Sequence, residues 1–101
     1  MKAVWKFEFE IDDNIEIEMP VDAEILYVDI QIQRRGSFMD GDPPTKEVPC
    51  IWARADLDRP KVKRKFRLAG TGHPLPDMGL QHLGSFKMSQ DWLVFHLFEA
   101  V

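Results

Sequence analysis

The residues of this chain whose types could do chemistry are three histidines, His73, His82 and His96, one cysteine, and a glycine-rich heptapeptide. No H-x-H or H-E-x-x-H spacing links the histidines and no cysteine pair accompanies them, so no metal or cofactor is expected. In the heptapeptide G-T-G-H-P-L-P, Gly70 and Gly72 flank Thr71 and free the backbone for positive φ or close approach. The backbone N–H groups of Gly70, Thr71, Gly72 and His73 could then form a small anion-binding concavity. The competing reading, a rigid turn whose exit is fixed by Pro74 and Pro76, is favoured. No G-K-[ST] follows and no helix is signalled behind it, as a phosphate-binding loop would require.

Nucleophilic catalysis needs a hydroxyl or thiol beside a histidine and an orienting acid, and the sequence offers only Thr71, His73 and Asp77 in loose proximity. A G-x-S-x-G elbow is absent. Glu8, Glu10, Glu16 and Glu18 alternate along their segments, a pattern that more often marks a solvated strand face than a catalytic carboxylate pair. Cys50 stands in VPCIW, where a buried structural thiol is expected. The chain therefore reads as a binding protein and not an enzyme.

A second chemical feature is the basic run from Lys61 to Arg67. Lys63, Lys65 and Arg67 project from one side, and with Gly70 to His73 they form the candidate site of a small-ligand or nucleotide-binding module. Nucleic-acid binding is the weaker reading, because Phe66 points away from these cations and the chain is acidic overall.

The elements that must position these residues are strands. AVWKFEFEI (residues 3–11) and IEIEM (15–19) alternate apolar and charged residues around an Asp-Asp-Asn turn, which predicts a hairpin with Ile11 opposite Ile15. That register sets Glu10 opposite Glu16 and Glu8 opposite Glu18, at a cost of roughly 0.2 to 1 kcal/mol per pair. The acidic face therefore calls for a cationic neighbour. EILYVDIQIQ is the clearest core strand, with Leu26, Val28, Ile30 and Ile32 on one face. RRGSFMDGDPPTKE, residues 34–47, reads as an exposed loop because of its glycines and paired prolines. Strands follow around Cys50 and Trp52, through KVKRKFRLA, at 80–88 and at 92–101, with a short helix near 78–83 as the alternative for that stretch. In the last strand Trp92, Val94, His96 and Phe98 form a second apolar face opposite Leu93, Phe95 and Leu97. Such a strand is covered twice, or once by a partner chain, so a homodimer is expected.

About seven strands without a heptad or amphipathic helix predict a single all-β domain over residues 1–101, an antiparallel sandwich or barrel. The 101 residues, 45% of them hydrophobic, suffice for one modest core. No signal-peptide pattern and no run of ~18 apolar residues occurs, so a cytoplasmic location is expected. The net charge of −4 is unevenly placed. Residues 1–33 hold two lysines and nine acids, and the remainder eleven basic residues and eight acids.

VWKFEFEI, IEMPVDAEILYVDIQ, WARADLDRPKVKRKFRLAGTGHPLP, HLGSF and LVFHLFE together resemble an uncharacterised family of short bacteriophage and prophage proteins. GTGHPLP followed by VFHLFE is the most distinctive part. The resemblance covers most of the chain except residues 34–49 and implies a phage accessory protein working in the host cytoplasm. It transfers no activity. RRGSFMDGDPPTKEV departs from the pattern, which makes Arg34, Arg35, Phe38 and Met39 candidate partner contacts, with Trp92, Val94 and Phe98. The leading expectation is a protein that binds a host or phage protein, for example to inhibit a defence or regulatory factor. A ligand-binding module and a virion or assembly component are the alternatives.

Overall fold

The computed structural model describes residues 1–34, 45–90 and 92–101. Seven strands, β1 (Lys2–Glu8), β2 (Asn14–Pro20), β3 (Glu24–Arg34), β4 (Thr45–Asp56), β5 (Lys61–Gly70), β6 (Leu80–Met88) and β7 (Leu93–Ala100), form two antiparallel sheets. One runs β1-β4-β3 and the other β2-β5-β7-β6. The architecture is a β-sandwich and not a closed barrel. Among the described residues there is no helix, and none long and apolar enough to cross a membrane. The short helix near 78–83 does not form, because from Leu80 onward the backbone pairs with β7 as β6. Strand also extends through Arg34 and from Thr45 onward, which narrows the expected loop at 34–47.

The expected β1–β2 hairpin does not form. β1 pairs with β4 and β2 with β5, so consecutive strands lie in different sheets. Charge is one reason, because this pairing sets Glu16 opposite Lys65 and Glu18 opposite Lys63 in place of glutamate against glutamate. Packing is the other. Phe9 is drawn between the sheets, where its ring meets Phe86 edge-on at 6.1 Å, and the Leu68 N–H donates to the Asp13 carbonyl (3.0 Å). The Phe9 N–H still donates to the Pro49 carbonyl (3.0 Å). Proline has no N–H to return, so the β1–β4 ladder ends there.

The core joins Ile51, Ala53 and Ala55 of β4 to Phe66 and Leu68 of β5, Phe86 of β6 and Leu97 of β7. A bulge between Ile25 and Tyr27 shifts the alternation of β3. Ile25 and Val28 therefore face the core, whereas Leu26, expected inside, is 47% exposed. Gly84 lets β6 approach β3 closely, since a Cβ there would lie 3.2 Å from the Val28 Cβ. Gly84→Ala is expected to destabilise by about 1 to 2 kcal/mol in urea unfolding, the cost of overpacking two strands that cannot part freely.

Arg64 faces inward with Phe66 and Leu68, as its parity predicts. Its Nε and Nη2 donate to both oxygens of Glu99 (2.6 Å each), and Nη1 donates to the Ala23 carbonyl (2.6 Å). A cation can therefore close one end of the core with each of its three guanidinium nitrogens donating.

Candidate functional site on the outer face of the four-stranded sheet

β7 is a central strand, so the residues on its outer side meet β5 on one flank and β6 on the other. The register sets Arg67 opposite Phe98 and Ala69 opposite His96 across β5–β7. Across β6–β7 it sets His82 opposite Phe98, Ser85 opposite His96 and Lys87 opposite Val94. A second bulge, between His82 and Gly84, turns His82 and Ser85 onto one face although they are three residues apart. Simple alternation separates them, which is why the sequence alone did not group them.

These residues form a chain of polar contacts. The Ser85 hydroxyl lies 2.8 Å from His96 Nδ1 and 3.1 Å from His82 Nε2, and the Thr71 hydroxyl lies 2.9 Å from His96 Nε2. Both ring nitrogens of His96 are thus engaged by hydroxyl groups, each of which can donate or accept. The His82 ring also packs on Phe98 at 5.3 Å. Ser85 and His96 are close enough for nucleophile and base. However, the second nitrogen of that imidazole meets a hydroxyl where an orienting carboxylate would be needed. Among the described residues no group of three His, Cys, Asp or Glu gathers to hold a metal ion.

The residues proposed from sequence divide among different surroundings. Thr71 joins His96, not His73. His73 folds back on its own loop, its N–H donating to the Gly70 carbonyl (3.0 Å). A Cβ at Gly70 would lie 3.0 Å from His73 Nδ1, so that glycine admits the ring. Gly72 takes φ +86°, the positive value expected of this turn. Lys63 and Lys65 stand beside the acidic strand β2, with Lys63 Nζ 3.7 Å from Glu16. Arg67 donates to the Asn14 side-chain oxygen (3.2 Å), while its buried Nε finds no acceptor among the described residues. Asn14, Lys65 and Arg67 border a groove of about 420 Å³ with Met78, Leu80 and Ala100 on its apolar side.

Val94 and Phe98 lie half-buried on this same face, and Trp92, 85% exposed, stands by a cleft it shares with Thr71, His73 and Val94. The proposed contacts Arg35, Phe38 and Met39 lie outside the described residues, as does the side chain of Arg34.

On the opposite sheet, Cys50 is fully buried on the outer side of β4. Burial pushes its thiol above the usual range, with Lys6 opposing and Glu8 adding to the shift. The sequence reading of an inert thiol leads to a direct expectation. Ellman's reagent at neutral pH should leave Cys50 unreacted until denaturant is added, and prompt native-state labelling would contradict this burial.

Fold and face together define a small antiparallel β-sandwich whose polar and apolar contact groups converge outside one sheet. The chain belongs to the family described as Domain of unknown function (DUF7352), whose model matches residues 1–101. Neither a comparison with curated proteins nor one with solved structures gives a match.

Proposed function

We propose that this chain is a small non-enzymatic phage accessory protein of the host cytoplasm that binds a host or phage protein on the outer face of its four-stranded sheet. Inhibition of a host defence or regulatory factor is the role such a binder suits. One observation carries the reading. The central strand β7 turns Val94 and Phe98 outward beside a guanidinium, and among the described residues that face has no covering layer and the guanidinium Nε no acceptor. An aromatic anchor next to a desolvated arginine is the composition from which interface hot spots are built. The complementary partner presents an apolar patch and a carboxylate for Arg67.

This reading favours protein over nucleotide. Lys63 and Lys65 face the acids of β2, and Thr71 is engaged by His96, which leaves the expected phosphate-binding groups dispersed. Affinity capture from phage-infected cells, quantified for the wild type and Phe98→Glu, tests the proposal. The wild type should enrich a discrete partner and Phe98→Glu should lose it while keeping a native circular-dichroism spectrum. Equal capture by both would overturn the assignment of this face.

A further inference from the structure

The first strand presents an open edge of its own, independent of the face described above. β1 has β4 as its neighbour, and among the described residues nothing pairs with its other edge. Its inward-facing side is uncovered too. Phe7 reaches the core, but Trp5, on the same side, remains 41% exposed and Ala3 is exposed. An open edge with exposed apolar residues is a template for another strand.

The backbone fixes which residues present that template. The Phe9 N–H points to β4, so Phe7, Trp5 and Ala3 also turn their N–H and C=O groups that way. Those of Lys2, Val4, Lys6 and Glu8 face the open edge. A second copy of the strand, laid antiparallel about a two-fold axis, must pair these even-numbered residues with one another. Slipped one way, that pairing sets Lys2 against Lys6; slipped the other way, Lys6 faces Lys6. The register centred on Trp5 uses all seven residues of β1 and sets Lys2 opposite Glu8, Val4 opposite Lys6 and Trp5 opposite Trp5. It thus turns two edge lysines that would blunt the strand into an ordered charge pattern.

We infer that β1 is a homodimerisation edge, joining the three-stranded sheets of two copies in the register centred on Trp5. The isologous contact places Lys2 of each copy against Glu8 of the other. Glu8 also accepts from Gln33 (2.9 Å) and lies 3.5 Å from Lys6, both on its own sheet, which hold the carboxylate on the outer face where the pair forms.

Sedimentation velocity of the full chain at high micromolar concentration tests this with two kinds of variant. Val4→Pro removes an N–H that only the second copy would use, so it should give a folded monomer. Lys2→Glu and Glu8→Lys should each weaken the dimer by about tenfold, and an equimolar mixture of the two should restore it, since every charge then meets its opposite. Trp5→Cys should form an intermolecular disulfide on mild oxidation, because the central pair is the closely spaced, non-hydrogen-bonded kind. A monomeric wild type, a dimer that persists in Val4→Pro, or a mixture no tighter than its components would overturn the inference.

Discussion

Replacing Arg64 with methionine should cost about 2 to 3 kcal/mol in equilibrium unfolding, near the lower end of the range for breaking a fully buried ion pair. The size follows from what remains. Glu99 keeps a carboxylate with a side-chain exposure of 15% and loses both of its guanidinium hydrogen bonds, while the Ala23 carbonyl loses the bond it accepts from Arg64 Nη1. The double variant Arg64→Met, Glu99→Leu should recover most of that loss, because an apolar pair of similar volume carries no desolvation cost. A double-mutant cycle in urea separates the two contributions. If Arg64→Met alone proved neutral, the inward placement of this arginine would be wrong.

Leu97→Ala should be still more damaging, at about 3 kcal/mol or more. Leu97 has no solvent exposure and sits on β7 between Leu68 of β5 and Gly84 of β6, so its truncation leaves a cavity in the middle of the sandwich. For a domain of this size the midpoint of thermal unfolding should fall by more than about 10 °C. Leu26→Ala makes the matching control. Alternation read from sequence places Leu26 in the core, whereas the bulge in β3 leaves it half in solvent, so the change should stay within about 0.5 kcal/mol. Comparable losses for both variants would contradict the bulge.

These two leucines show how much of the fold the sequence carries. Period-two alternation identified the seven strands and the inward sides of β1 and β5, because one wet face and one dry face impose it. It could not see the two bulges, each of which moves later residues to the other face without altering composition. One hid the exposure of Leu26, and the other hid the meeting of His82, Ser85 and His96. Strand partnership was also beyond local pattern. Asp-Asp-Asn is a good turn signal, yet the long-range pairing of Glu16 and Glu18 with Lys65 and Lys63 prevailed over it. The like-charge conflict in the hairpin register was the legible sign that β2 belonged elsewhere.

The same pairing revises what the charge asymmetry means. The acidic segment and the basic strand lie side by side within one sheet, so Lys63 and Lys65 serve the fold first. Arg67 differs, since its opposite residue on β7 is Phe98 and its neighbour on β2 is the uncharged Asn14. On the proposed reading it is this cation, set beside Phe98, that meets a partner's carboxylate.

Photo-crosslinking in phage-infected cells tests that placement most directly. A benzophenone amino acid at position 94, on the outer face of β7, should yield a discrete adduct heavier than the chain by the mass of the partner. The same group at position 54, on the outer side of the other sheet, should yield none except with a second copy of the chain, since it stands beside Val4 of β1. Adducts at position 54 with none at position 94, or adducts at position 94 only with a second copy of the chain, would contradict the account.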